Sequence, residues 1–424
     1  MSIVDEFESN VRYYSRAFPD LFTQAQGSIM YSKRGKEYID FFAGAGALNY
    51  GHNNAYIKEA LIRYIQSNGI THALDMSTEA KETFIATFHK LQLLPHSLDY
   101  VFQFCGPSGT NAVEAAIKLA RKATGRTGIF SFMGGFHGVT LGSLSVTSNA
   151  FHRNAAFLPS SHVTFIPYCD GIYGGFDSIT YMENILNDTH SGIDKPAAII
   201  LETIQAEGGI YVSSKAWLQD LERFCRRHGI LLICDDIQVG CGRVGEFFSF
   251  KEAGIVPDIV ALSKSISGYG LPMSLLLYSR TLDHWLPGEH NGTFRGNQLA
   301  FVAAVAALEY RESANLKQQV QVKEMYLKKY LTERLSILAP DIAIRGRGAI
   351  WGIDLSALND HNVAKKIASD CFENGLLIER VGRHDNVLKI MPPLNIEMEL
   401  LEEGCRRLEQ VMIQNLLSTS VRTF

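Results

Sequence analysis

An α/β fold organised on a central, mostly parallel sheet of about seven strands is predicted by three features of this sequence. Short continuous apolar runs recur from Val101 onward: VFQFC (101–105), IFSF (129–132), VTFI (163–166), AAIIL (197–201), ILLIC (230–234), IVAL (259–262) and MSLLLY (273–278). Runs of this length without alternation are what strands buried on both faces look like. Helical patterns lie between many of them, most clearly NAVEAAIKLARKA (111–123) and KAWLQDLERFCRRH (215–228). Beyond residue 318 the rhythm changes to a smaller α+β mixture.

Taken in chain order, residues 1–56 form an N-terminal segment. Within it, Glu37-Tyr38-Ile39-Asp40-Phe41-Phe42 reads as a short strand running into a glycine-rich loop from Gly44 to Gly51. Residues 57–318 form the large domain. A long helical region runs from Leu299 to about Leu335 and is interrupted by Pro340 and a turn at RGRG (345–348). The small C-terminal domain, 319–424, holds a strand at Ala349–Asp354, a helix near Val363–Asn374, a strand near Leu388–Ile390 and a last helix from about Met398.

A chain of 424 residues with 46% hydrophobic and 20% charged residues is long enough for two or three cores. The formal net charge is −4 and the basic residues are scattered, so no nucleic-acid face is expected. No apolar stretch approaches the ~20 residues of a membrane span. The first residues, MSIVDEFESN, lack the basic-then-apolar order of a signal peptide. Seven cysteines, several in apolar runs, suit buried thiols in a reducing compartment, and the chain reads as cytoplasmic.

Three places could carry chemistry. Ser108, Gly109 and Thr110 stand between a strand and a helix, where unpaired N–H groups and the helix dipole favour an anion. The same residues also suit an ordinary helix cap. Asp235 and Asp236 follow a buried strand directly, where α/β folds place ligands. Solvated acids at a strand end are the plain alternative. Lys264 also follows a buried strand, flanked by Ser263 and Ser265. A desolvated lysine loses part of its basicity, and its neutral amine can attack an aldehyde. Two successive runs thus deliver an acid and an amine to one rim. His137, in a glycine turn after the 129–132 run, could lie against a ligand ring or be structural.

Other chemistries fit less well. Gly240-Cys241-Gly242-Arg243-Val244-Gly245 has G-x-G-x-x-G spacing, but Asp235 to Val239 separate it from the strand and no helix pattern follows. No metal-ligand spacing and no G-x-S-x-G elbow are present.

The run Asp235-Asp236-Ile237-Gln238-Val239-Gly240-Cys241-Gly242-Arg243-Val244-Gly245, with Lys264 beyond it, resembles the signature of class III aminotransferases. These are the ornithine/4-aminobutyrate type of the fold-type I pyridoxal-phosphate (PLP) enzymes. Asp236 departs from the family's usual Glu. The resemblance covers nearly the whole chain and implies roles residue by residue. Lys264 would carry PLP and move the proton. Asp235 would meet the ring nitrogen, and Gln238 the phenolic-oxygen side. Ser108, Gly109 and Thr110 would hold the phosphate. Phe136 would stack on the ring with His137 beside it. Thr293 would reach the phosphate of a neighbouring subunit, which implies a homodimer or a tetramer with shared sites.

Within the class, the stretches at 45–54, 69–76, 106–114 and around Lys264 are most similar to diaminobutyrate–2-oxoglutarate aminotransferases of the ectoine-pathway type. Other ω-amine aminotransferases of the class, acting on 4-aminobutyrate, ornithine or a related diamine, are the alternative. That similarity also raises potassium as a possible requirement, for which the sequence has no motif. Relatives place an arginine for a substrate carboxylate where this chain has Lys389, in Lys389-Ile390-Met391-Pro392-Pro393. Glu207 matches the acid that gates that arginine. Lysine can pair with a carboxylate, but without a rigid two-pronged fork.

Overall fold

The computed structural model describes residues 3–156, 162–169, 173, 175–339, 341–358, 360 and 362–420. Every apolar run singled out above contributes a strand to one sheet: β1 (Tyr100–Phe104), β2 (Ile129–Phe132), β3 (Val163–Ile166), β4 (Ala198–Leu201), β5 (Leu231–Asp235), β6 (Ile259–Leu262) and β7 (Leu275–Ser279). Their order is β1-β7-β6-β5-β4-β2-β3. Strand β7 runs antiparallel to both of its neighbours, and all other pairings are parallel. Every residue of β2, β4 and β6 is buried. That accounts for their continuous apolar pattern.

Parallel strands need crossovers, and helices supply them. Helix α1 (Gly109–Thr124) buries Ala112, Ala115, Ala116 and Ala120, whose short side chains let its backbone approach closely. Helix α2 (Lys215–His228) buries Trp217, Leu218, Leu221, Phe224 and Cys225 along one face. Each large apolar side chain of that face contributes about 1.5–3 kcal/mol. Ser214 caps its start by accepting from Trp217 N at 3.1 Å, and Gly229 ends it with φ +60°.

The parallel strands bring the C-terminal ends of β1, β2, β4, β5 and β6 to one rim. The loops leaving that rim carry Ser108, His137, Glu202, Asp235 and Lys264.

Two local expectations need correction. The helical region expected from Leu299 to Leu335 is not continuous. Helix α3 (Gln298–Ser313) ends before Asn315, whose φ of +48° is left-handed, and α4 (Leu316–Tyr330) follows, ending in a π turn over Leu331–Leu335. Asparagine tolerates that conformation better than other non-glycine residues. The RGRG stretch is also not a turn as a whole. Arg345, Gly346 and Arg347 belong to a strand (Ala343–Arg347) paired with Ile350–Asp354, and the chain reverses at Gly348 and Ala349. The Trp351 ring lies over Gly346, where a Cβ would collide with it, and Trp351 Nε1 donates to Gly348 O at 2.9 Å.

The two ends of the chain pack together. Strands Phe22–Gln26, Ile29–Ser32 and Glu37–Asp40 form an antiparallel set, and Leu376–Leu377 joins it parallel to Glu37–Asp40. Ile39 and Phe41 share a core with Leu327, Leu331, Trp351, Ile367 and Leu408. Arg243 is fully buried and ties three segments: it donates to Asn49 Oδ1 at 2.5 Å, to Ala349 O at 3.1 Å and to Pro392 O. Among the described residues no helix is long and apolar enough to cross a membrane.

Candidate active site

Asp235 closes β5 and is buried. Its Oδ2 lies 2.7 Å from His137 Nδ1, and its Oδ1 accepts from Ile237 N at 3.2 Å. His137 is fixed by its own N–H, which donates to Thr147 Oγ1 at 2.9 Å, while its Nε2 is buried without a hydrogen-bond partner. The imidazole thus braces the carboxylate from one side, and the two strand-end loops after β2 and β5 are joined.

Lys264 lies two residues beyond β6 with φ +50°, a left-handed conformation costly for a lysine. Its flanking serines hold it there. Ser263 Oγ donates to Met273 O at 2.9 Å, and Ser265 Oγ donates to Gly46 O at 2.7 Å while accepting from Asn49 N at 3.0 Å. Burial pushes the Lys264 amine below its ordinary basicity; Glu207 opposes that fall and Lys389 adds to it. A strained, desolvated amine beside a fixed carboxylate is equipped to react with a carbonyl.

At the other end of the rim, Ser108 caps α1, and Gly109 and Thr110 open it. Thr110 Oγ1 is within hydrogen-bond reach of Thr140 Oγ1 at 2.5 Å and of Ser143 Oγ. Glu114 gathers this group, accepting from Thr140 Oγ1 at 2.5 Å, Gly142 N at 3.0 Å and Ser143 N at 3.2 Å. Gly138, at φ +118°, admits no side chain, because a Cβ there would run into the Thr110 and Ser143 hydroxyls. Helix N–H groups and hydroxyls suit a phosphate.

Phe136 is half-buried, and its N–H donates to Glu202 Oε2 at 3.0 Å. Glu202 directly follows β4, at the strand-end position next to where Asp235 closes β5, and burial, then repulsion from Asp235, pushes its carboxyl well above the usual range. Gln238 Nε2 donates to Ala45 O at 2.9 Å and to Glu207 Oε1 at 3.0 Å.

Lys389 is fully buried between two acids. Its Nζ is 2.6 Å from Glu207 Oε1 and 2.8 Å from Glu379 Oε2. Glu379 faces Lys389 across an antiparallel pair, Glu379–Val381 against Val387–Ile390. Tyr14 OH donates to Glu379 Oε1 at 2.9 Å. Burial would raise the Glu207 carboxyl, but Lys389 and Lys264 bring it down to about 2. Glu379 moves the other way: burial, with repulsion from Glu207, outweighs the pull of Lys389. One lysine cannot neutralise two carboxylates, and the proton favours Glu379.

The fold therefore gathers Asp235, His137, Lys264, Gln238, Glu207, Lys389 and Phe136 at one rim, with Ser108–Thr110 at the start of α1. Thr293 stands apart. It is exposed, its carbonyl accepts from His72 Nε2 at 2.8 Å, and no hydrogen bond among the described residues links it to the Lys264 cluster. Glu202, Glu379, Tyr14 and Glu114 were not singled out from the sequence. The strand-end rule that found Asp235 applies equally to Glu202 after AAIIL. Glu379, an acid inside the apolar stretch LLIERV, also carried a signal; Tyr14 carried none. A cleft of about 530 Å³, lined by His96, Glu246, Arg311 and Lys317 among others, includes none of these residues. The chemistry of the rim outweighs its size.

A family model described as aminotransferase class-III matches residues 13–412. The chain belongs to the class III aminotransferases. It is 52% identical over 413 residues to a diaminobutyrate–2-oxoglutarate transaminase of Bordetella parapertussis, covering 96% of this chain and 94% of that one. A protein of the same name from Halalkalibacterium halodurans is 50% identical over 412 residues, with 97% and 96% covered. The ornithine aminotransferase of Toxoplasma gondii, solved with PLP at partial occupancy in its active site, matches with a TM-score of 0.82 at 24% identity, over 97% of this chain and 93% of that one. This last likeness is one of fold. In this class III aminotransferase the GCGRVG stretch opens no helix; it is a chain of turns, with Gly242 and Gly245 at φ +95° and +93°.

Proposed function

We propose that this aminotransferase uses PLP to interconvert L-glutamate and L-aspartate 4-semialdehyde with 2-oxoglutarate and L-2,4-diaminobutyrate. The observation that carries this reading is the buried, weakened amine of Lys264 on the same rim as the braced Asp235. The near-full-length identity to diaminobutyrate transaminases supports the choice of substrate.

The residues fit PLP. An amine of lowered basicity, an acid held by His137, and a glycine cradle at Gly138 beside hydroxyls and a helix start match its aldehyde, ring nitrogen and phosphate in turn. When bound, PLP supplies an aldehyde for the amino group and a ring that accepts electrons from the carbon being deprotonated. Lys264 would hold the aldehyde end of PLP, and its free amine would carry the proton taken from the donor carbon. Asp235 keeps the ring nitrogen protonated, with His137 securing the other side of the carboxylate. Ser108, Gly109 and Thr110 would hold the phosphate, with Phe136 against the ring and Gln238 on its phenolic-oxygen side. Lys389 takes a substrate carboxylate, leaving Glu207 when glutamate or the amine substrate arrives and returning to it when the site is empty.

The working unit in this reading is at least a homodimer in which Thr293 serves the neighbouring site. Ile70, Leu74, Met76 and Phe294 are exposed, and His72 contacts Phe294, so the segments at 70–76 and 293–294 make one apolar surface suited to a second copy. A cytoplasmic place in ectoine formation belongs to the same proposal.

The test is glutamate formation from 2-oxoglutarate with L-2,4-diaminobutyrate, 4-aminobutyrate or ornithine. A strong preference for diaminobutyrate is expected. Equal use of the three, or a preference for another, would assign the enzyme to a different ω-amine.

A further inference from the structure

Glu379 and Tyr14 have no part in the steps above, and the charges around Lys389 do not balance. Glu379 is 5% exposed. Its Oε1 takes the Tyr14 hydroxyl at 2.9 Å, while its buried Oε2 depends on the ion pair with Lys389 Nζ at 2.8 Å and has no other hydrogen-bond donor. Lys389 spends its directed hydrogen bond on Glu207. Two acids share one lysine, so Glu379 keeps its proton until a second cation arrives to let both acids be ionised together. Glu207, Lys389 and Glu379 all act on the Lys264 amine, so the cluster lies within electrostatic reach of the reacting group.

We propose that Glu379, oriented by Tyr14, receives the ammonium group at the non-reacting end of the amine substrate, while Lys389 receives the carboxylate beside it. This rests on the diaminobutyrate reading. The non-reacting end of that substrate carries a carboxylate and an ammonium on one carbon, and the lysine and the spare acid mirror them in charge. An ω-amine lacking the second ammonium, such as 4-aminobutyrate, leaves Glu379 unmatched. Selection thus comes from an unpaired buried acceptor as well as from a new contact.

The test compares wild type, Glu379→Gln and Tyr14→Phe, each loaded with PLP. It measures kcat and KM for L-2,4-diaminobutyrate and 4-aminobutyrate, and the single-turnover rate with glutamate. Loss of a charge-assisted contact predicts a fall of about 10- to 100-fold in kcat/KM for diaminobutyrate in Glu379→Gln, mainly through KM. That fall should exceed the change with glutamate or 4-aminobutyrate by about tenfold or more. Tyr14→Phe, which removes only the orienting hydroxyl, should shift the same ratio by about three- to tenfold. Equal losses on all three substrates would overturn the proposal and make Glu379 a support for Lys389 alone; an unchanged ratio in both variants would overturn it too. Wild-type enzyme that ignores diaminobutyrate would overturn the substrate reading and this inference with it. Wild-type enzyme that uses diaminobutyrate, with the ratio unmoved in both variants, would overturn this inference alone.

Discussion

Asp236, directly after Asp235, is a buried acid with one satisfied oxygen. Its Oδ2 accepts from Ser249 N at 3.1 Å, and its Oδ1 has no partner. Burial lifts its pKa from 3.8 to about 7, against the pull of the Ser249 hydrogen bonds. The folded protein therefore holds a proton here that the unfolded chain gives up. The stability this contributes is complete below the unfolded value and is lost as pH rises through about 7, with a slope of up to about 1.4 kcal/mol per pH unit. Asp236→Asn keeps an acceptor for Ser249 and removes the titration. Urea unfolding midpoints of the variant should fall less than wild type's as pH rises from about 5 to about 7. Parallel curves would mean that Asp236 is ionised in the folded protein throughout. Lys264 offers the sharper functional test. If Lys264 holds PLP and carries the proton as proposed, Lys264→Ala should lower turnover by at least about 10²- to 10⁴-fold and abolish the visible band of lysine-bound PLP. A retained band would place the cofactor on another residue.

At the scale of elements, the turns between strands are held by side chains rather than by their own pattern. Arg243 is the central case, since its guanidinium satisfies acceptors from the loops at Asn49, Ala349 and Pro392 at once. Arg243→Met should cost about 3–5 kcal/mol by leaving those buried acceptors unpaired, and Arg243→Lys should recover only part, because an ammonium cannot fork to all three. Thermal unfolding of the two variants against wild type would measure this, and a Lys variant as stable as wild type would count against the fork. Such ties also mark the limit of what the sequence made legible. The seven strands could be read because burial on both faces writes itself as a continuous apolar run. Asp235 could be read because it follows such a run directly, and Lys264 because only Ser263 separates it from one. The break at Asn315 could not, because the helical pattern continues on both sides of one residue in a left-handed conformation. Nor could the Tyr14–Glu379 contact, which joins residues 365 positions apart. It depends on the N-terminal strands accepting Leu376–Leu377 as a partner, a pairing no local pattern announces.

At the scale of the whole molecule, one chain brings together Lys264, Asp235 and the Lys389 ion pairs, but it leaves Thr293 on an exposed surface. Exposed apolar side chains lie in the two segments at 70–76 and 293–294, Phe294 at 68% and Met76 at 61% exposure. Arg295 pairs with Asp75 and His72 binds the Thr293 carbonyl, so the two segments that form this surface are fixed to each other before any partner arrives. If Thr293 completes the phosphate site of a second copy, a defect there and a defect at Lys264 should complement each other. Thr293→Ala alone should bind PLP about tenfold more weakly, the scale of one lost hydrogen bond to a charged group. Lys264→Ala alone should be inactive. Mixed and reassembled at limiting PLP, the two variants form heterodimers in which one site has Lys264 from the first protomer and Thr293 from the second. Random pairing makes half of the dimers mixed, each with one intact site, so activity should recover to about a quarter of wild type. If Thr293 served its own protomer, no mixed dimer would contain an intact site, and the mixture would stay at the sum of its parts.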